Sequence, residues 1–322
     1  MKKKLIVLLT LISLFTISCS NSDETSDNTL PVVDNYKLLS VSSEGKILEI
    51  GNNTGDIKII GQIKNQFNLI QLSSICNVSS KIYAIEASYV PSPNILLIYD
   101  KSTGVTTTHQ IIFPTSIATT MADPFITNIE YNGSELIAIV SENQPNNSRP
   151  NKIISINLQN YETTDLNINF YQRSLTSTEL ISDKLYVSTR NEGLIKIDLT
   201  QKIVTELKDN GAQINATRLA KISSTKLCIM KLGIPQYING VKPFEYNLET
   251  NLLSDKSSGD VFAVGNITGG SKFHNEEYLN FVFNTDSKFG ILKINYTNNE
   301  RKFVALDRDI VSANTIIIDI IE

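Results

Sequence analysis

Lys184-Leu185-Tyr186-Val187-Ser188, followed closely by Ile195-Lys196-Ile197-Asp198, is the pair of segments on which the fold turns. The second returns as Leu48-Glu49-Ile50-Gly51, Leu97-Ile98-Tyr99-Asp100, Ile154-Ser155-Ile156-Asn157, Phe244-Glu245-Tyr246-Asn247 and Leu292-Lys293-Ile294-Asn295. All share the form apolar, any, apolar, then Asp, Asn or Gly. A polar turn follows, such as Asn53-Thr54-Gly55, Ser102-Thr103-Gly104 or Thr297-Asn298-Asn299, where Gly and Asn tolerate the backbone angles of a tight reversal. A further strand comes next, as in Val105 to Ile111, Ile203 to Leu207 and Phe303 to Leu306. The first segment also returns, beginning at Lys37, Lys81, Glu135, Lys226 and Tyr278. Successive starts lie about 48 residues apart, close to the period of four-stranded propeller blades.

A third segment upstream, such as Phe67 to Ile75 or Phe125 to Tyr131, supplies the missing strand of each unit. In the sixth unit this strand falls among the glycines of Val261 to Phe273 and has two possible placements. With the strands named A to D from hub to rim, the chain enters at a B strand and ends on an A-type run, Thr315-Ile316-Ile317-Ile318-Asp319-Ile320. The expectation is an all-β, six-bladed β-propeller of four-stranded antiparallel blades, closed by the C-terminal strand completing the first blade. Closure removes the open sheet edges that invite aggregation. A two-sheet β-solenoid or tandem sandwiches are the alternatives. Sustained apolar spacing at three and four residues, the mark of amphipathic helices, is not found.

The pattern of Leu185-Tyr186-Val187 followed by Ile195-Lys196-Ile197-Asp198 resembles the YVTN and quinoprotein-like group of β-propellers, often found as lipoproteins in Bacteroidota. The resemblance covers residues 36–322 and implies fold alone, since one fold hosts many chemistries.

Residues 1–18 read as a signal peptide: Lys2, Lys3 and Lys4, then an apolar core too short to span a bilayer comfortably, then small Ser18. Thr16-Ile17-Ser18-Cys19 resembles a lipobox, which implies lipidation, palmitate included, at Cys19. Two or three acyl chains anchor stably where one does not. Residues 19–35 then form a lipidated cysteine with a polar, acidic tether, and residues 36–322 the propeller domain. The expected address is the cell envelope, on the outer membrane, facing either the periplasm or the cell surface, with the membrane itself a partner through the lipid. Removing residues 1–18 leaves 26 basic against 33 acidic groups, a net charge of −7. Nucleic acid is therefore excluded as a partner, because phosphate binding needs a basic stripe. Cys76 and Cys228 fall in blades on opposite sides of the ring, so free thiols are expected.

Strand order puts the B-to-C and D-to-A connections on one face. The B-to-C connections include the long stretches Ser88 to Asn94, Ser141 to Asn151 and Leu232 to Pro243. Binding groups concentrate in such loops on a rigid scaffold. The candidate ligand or partner face therefore carries Tyr89, Asn143, Arg149, Arg173, Arg190, Arg218, Tyr237 and Asp286, with Tyr171 and Lys272 placed in its D-to-A loops.

No catalytic residue is assigned. The body holds only His109, on an outer strand, and His274, near an A-to-B turn, so a nucleophilic triad lacks its base. Clustered Cys and His for zinc and Asp-rich loops for calcium are missing, so no metal site and no cofactor is assigned. Glu130 and Glu179 are the inward candidates on A strands, each expected to face solvent or a neighbouring blade. The leading expectation is a binding or scaffold module, more a non-enzyme than an enzyme, that holds an envelope protein or an extracellular polymer such as a polysaccharide. The competing reading is a metal-dependent, lactonase-like hydrolase using the central channel. Carboxylate or amide groups converging in the channel would favour the second.

Overall fold

The computed structural model describes residues 32–322 apart from 66–70, 87–93, 143–149, 173–174, 190–192, 235–236, 257–261, 264–265 and 312–313. Signal, lipobox and most of the tether lie outside the described residues. Asp34–Glu322 form one compact unit. No helix among the described residues is long and apolar enough to cross a membrane.

The unit is a six-bladed propeller. Blade 1 holds β1 (Lys37–Val41), β2 (Lys46–Gly51) and β3 (Ile57–Gln62). Blade 2 is β4 (Leu72–Val78), β5 (Lys81–Glu86), β6 (Ile95–Asp100) and β7 (Val105–Gln110). Blade 3 is β8 (Pro124–Tyr131), β9 (Glu135–Glu142), β10 (Pro150–Asn157) and β11 (Thr163–Tyr171). Blade 4 is β12 (Leu175–Ile181), β13 (Lys184–Thr189), β14 (Leu194–Asp198) and β15 (Ile203–Asp209), with a short rim strand β16 (Ala212–Gln213). Blade 5 is β17 (Arg218–Lys221), β18 (Lys226–Ile234), β19 (Tyr237–Asn247) and β20 (Leu252–Asp255), with β21 (Phe262–Ala263) added to β19. Blade 6 is β22 (Asn266–His274), β23 (Glu277–Phe283), β24 (Phe289–Asn295) and β25 (Arg301–Ala305). The final strand β26 (Ile316–Ile321) pairs antiparallel with β1 and becomes the inner strand of blade 1. The inner strands β26, β4, β8, β12, β17 and β22 follow one another around the channel and return to the start.

The core is six apolar wedges, one between each pair of neighbouring blades. Middle strands are thus buried on both faces, which is why Ile82-Tyr83-Ala84-Ile85 and Leu96-Leu97-Ile98-Tyr99 read as unbroken apolar runs. Rim strands such as β3 and β7 keep one face in water and are mostly polar or half exposed.

The polar residue closing each repeated segment has a structural task. Asp100, Asn157, Asp198, Asn247 and Asn295 each accept the backbone N–H groups two and three residues on, closing the C-to-D turn. Blade 1 has Gly51 at this place, and Asp34 supplies the carboxylate from outside the turn. Its Oδ1 accepts from Asn53 N at 2.8 Å and Thr54 N at 2.9 Å. A Cβ on residue 51 would stand 2.1 Å from Asp34 Oδ2, so glycine is required there.

At the junction of blades 6 and 1, nearly buried Lys293 pairs with Glu277 at 3.2 Å and donates to Asn53 Oδ1 at 2.9 Å. Tyr36 donates to the same Glu277 at 2.7 Å. Cys76 and Cys228 are free, in blades 2 and 5.

The stretch Leu232 to Pro243 is not a loop. β18 and β19 run on as a hairpin, with Ile234 opposite Tyr237, and β21 adds to its side through Gly240 and Val241. Cross-strand pairing satisfies the backbone groups that a free loop would leave to water.

Candidate functional site

The inner strands can be brought into one frame through their pairing with the B strands. Two residues into each B strand stand Leu39, Tyr83, Ile137, Tyr186, Cys228 and Leu279, and their partners are Asp319, Cys76, Glu130, Glu179, Ala220 and Lys272. These six residues are structurally equivalent and form one layer of the channel. Three are acids, one is a base, and Glu130 and Glu179 come from adjacent blades.

Just towards the long-loop face of this layer, the A strands of blades 1, 2, 3, 4 and 6 carry β-bulges. Bulges re-aim side chains and sharpen the local twist. Ser73, Thr127 and Thr176 sit at the bulges of blades 2 to 4, and their hydroxyls donate to B-strand carbonyls of their own blade. Thr217 does the same in blade 5. The next blade is also reached, by Ser73, which donates to Ile126 O at 3.5 Å, and by Ser74 and Ser177, whose hydroxyls accept from Ile129 N at 3.0 Å and Leu219 N at 3.2 Å.

The channel encloses a cavity of about 650 Å³, lined among others by Glu130, Glu179, Lys272, Arg218 and Asp319. That volume suits a small-molecule ligand. Glu130, Glu179 and Lys272 lie deep in the ring yet keep some contact with the open cavity. Burial, then the negative charge of Glu179, pushes the Glu130 carboxyl up to about 8. Burial also raises Glu179, but the Lys272 ammonium and the Lys221 backbone N–H oppose the rise. Burial thus raises the proton affinity of both acids, and repulsion between them adds to it at Glu130. Although burial disfavours its charge, the carboxylates of Glu179, Glu130 and Asp319 hold Lys272 protonated above the ordinary lysine value. Among the described residues no cation lies within 4 Å of either glutamate. Only Thr178 reaches Glu130, donating from Oγ1 to Oε1 at 2.5 Å. On the closing strand, Asp319 accepts from Asn77 Nδ2 at 2.5 Å.

The donor set does not fit a metal ion. No three His, Cys, Asp or Glu side chains among the described residues are grouped to hold one, and an ammonium shares the layer with the acids. The histidines stand apart, His109 against Tyr161 on the rim and His274 against Tyr36. Burial, then the Glu130 charge, pushes the Cys76 thiol up to about 12, so it is no nucleophile near neutrality.

Two placements read from the sequence are corrected. Arg218 opens β17 and lines the channel, donating to Thr217 O at 2.7 Å and Thr176 O at 3.2 Å. Lys272 belongs to β22 and not to a loop, because two residues, Gly269 and Gly270, are taken up by the bulge between Thr268 and Ser271. Asp286 is exposed in the tight β23–β24 turn, where its N–H bonds Asn284 Oδ1 at 3.0 Å. Tyr237 lies on β19, with its side chain outside the described residues. Tyr89, Asn143, Arg149, Arg173 and Arg190 also lie outside them. Glu130 and Glu179 share one cavity with Lys272, a grouping hidden until the strands are set in register.

No protein-family model matches the sequence, and no curated protein matches it by sequence search. Solved structures do match by shape. A puromycin hydrolase aligns with a TM-score of 0.52 at 8% identity, over 82% of this chain and 42% of its own. A proposed 6-phosphogluconolactonase from Bacteroides fragilis aligns with a TM-score of 0.50 at 13% identity, over 84% of this chain and 81% of its own. The chain thus spans under half the length of the puromycin hydrolase. At these identities the likeness establishes the fold. The expectation of a non-enzymatic module is corrected, since proteins named as hydrolases carry this fold and the channel brings acid, base and ammonium groups to one layer.

Proposed function

We propose that the channel hydrolyses a small carboxylic ester, a cyclic ester in particular, by general acid–base catalysis without a covalent enzyme intermediate. The observation that carries this reading is the shared layer of Glu130, Glu179 and Lys272. Glu179 takes a proton from a water whose oxygen attacks the carbonyl carbon. The Lys272 ammonium stabilises the resulting oxyanion. As the carbonyl carbon–oxygen bond breaks, Glu130 gives its proton to the leaving alkoxide, and the product is a hydroxy acid. Two acids in one cavity, one raised to about 8 and the other opposed in its rise by Lys272, suit this division of labour.

Paired carboxyls also serve glycoside hydrolysis. The fixed positive charge of Lys272 argues against it, because it would oppose an oxocarbenium-like transition state and favours a developing oxyanion. The lactonase name of one structural neighbour agrees with the cyclic-ester reading.

The test is turnover of a panel of lactones and linear esters by the whole chain. The expected result is hydrolysis that falls at least 100-fold in Glu130→Gln and in Glu179→Gln. Absence of turnover across the panel, or full activity in either variant, would overturn the proposal. We further propose that the domain works from the cell envelope, tethered through lipid on Cys19; loss of labelled palmitate incorporation in Cys19→Ala would support this, and unchanged labelling would refute it.

A further inference from the structure

We propose that Thr178 is the positioning residue of the acid–base pair: its hydroxyl pins Oε1 of Glu130 across the boundary between blades 3 and 4 and leaves Oε2 to carry and release the proton. This rests on the reading of Glu130 as the general acid.

Ser73, Ser74 and Ser177 also cross a blade boundary, but to backbone groups; Thr178 crosses to a carboxyl. Thr127 and Thr176 bond the B strand of their own blade, whereas Thr178 Oγ1 crosses to the neighbouring carboxyl at 2.5 Å. The pin is stiff, since Thr178 is in register with Val187 of β13 and its β-branched side chain has few rotamers. A neutral carboxyl accepts through its carbonyl oxygen and donates through its hydroxyl, so a donor on Oε1 places the proton on Oε2. Thr178 directly precedes Glu179, so one short segment of β12 carries both the base and the residue that orients the acid. The geometric relation of acid to base is thereby set by one strand, although the acid belongs to another blade.

The other charged or titratable groups around Glu130 are Glu179 on β12, Lys272 on β22 and Cys76 on β4, with Arg218 and Asp319 lining the same cavity. All of them remain in the variants below.

The test is a pH titration of the whole chain carrying ¹³C-labelled glutamate carboxyls, with Glu130→Gln to identify the signal. In Thr178→Val the lost donor leaves the carboxylate form less stable, and the Glu130 titration moves up by about one unit. Thr178→Ser keeps the hydroxyl and stays within about 0.3 unit of the wild type on the same scale. On an ester that the wild type hydrolyses, Thr178→Val lowers kcat with KM little changed, and Thr178→Ser restores it. Equal titrations for the Val and Ser variants, or a Val variant titrating like the wild type, would overturn the proposal. Should Thr178→Val fail to fold, Thr178→Ala makes the same comparison with Ser. A titration that shifts as expected, while Glu130→Gln leaves turnover intact, brings down the hydrolase reading and with it the catalytic meaning of the pin.

Discussion

Replacing Glu130 by Gln should make the protein's stability less sensitive to pH, in a direction that follows from the channel's electrostatics. Burial and the Glu179 charge push the carboxyl up to about 8 in the folded ring, against 4.5 for an ordinary glutamate. Its folded proton affinity is raised, so the stability linked to its proton is fully present below about pH 4.5 and is lost as pH rises through about 8. At about 1.4 kcal/mol per unit, the whole gap sets a ceiling near 5 kcal/mol. Contact with the open cavity lets water screen the charge, so about 2–3 kcal/mol is the expected size. Urea unfolding at pH 5 and pH 8.5 reads this directly. Between those conditions the wild type should lose about 2–3 kcal/mol more than Glu130→Gln, the variant being the more stable of the two in alkali. Parallel loss of stability in both proteins would refute the account of Glu130 as a carboxyl held neutral by burial and by Glu179.

Cys76 lines the cavity, yet its thiol is raised from 9.0 to about 12, so maleimide at pH 7.5 should modify it about 10³-fold more slowly than an ordinary thiol. Stopped-flow labelling in a Cys19→Ser, Cys228→Ser background measures this. Gly51→Ala should cost about 1–3 kcal/mol in urea unfolding, because its Cβ would displace Asp34 from the turn that Asp34 closes. Deleting Asn314–Glu322 removes β26 and with it the inner strand of blade 1. Calorimetry should then show the single cooperative transition lost or broadened, whereas unchanged melting would mean that ring closure contributes nothing to stability.

The ring itself was legible because it repeats. Six copies of an apolar pair closed by Asp, Asn or Gly mark six C strands, and the structure shows why: each Asp or Asn caps the turn that follows it, and Gly51 marks the one turn capped from elsewhere. The offset start and finish revealed the closure for the same reason. The site was legible only in part: Glu130 and Glu179 stood out as inward candidates, but their grouping with Lys272 depends on register. Bulges insert extra residues into five A strands, and the turn from β17 to β18 is longer than its counterparts, so counting along the chain does not align Cys76, Glu130, Glu179, Ala220, Lys272 and Asp319. Lys272 was further hidden by the neighbouring glycines, and Arg218 by following a connection without strong strand pattern. A usable signal did exist: Cys76, Glu130, Glu179 and Lys272 each stand seven residues before their B-strand partner.

That column is where the repeat departs from its own chemistry. Elsewhere the blades meet through apolar wedges, and the inner-strand hydroxyls of Ser73, Ser74, Thr127, Thr176, Ser177 and Thr217 bond backbone groups. A purely structural departure would be expected to end in closed ion pairs, as Lys293 and Glu277 do at the blade 6 to blade 1 junction, because an unpaired charge in the interior is costly. Glu130, Glu179 and Lys272 do not close on one another in this way; they face a common cavity, with the Glu130 carboxyl raised by burial and by Glu179 and a single hydroxyl on one of its oxygens. Buried titratable groups with shifted proton affinity cluster at working sites. Under the proposed reading, the site needs a partner in the cavity that accepts from Lys272 and Glu130 and donates to Glu179, beside the contacts these groups already make. A water and a carbonyl group on one small molecule meet that requirement together.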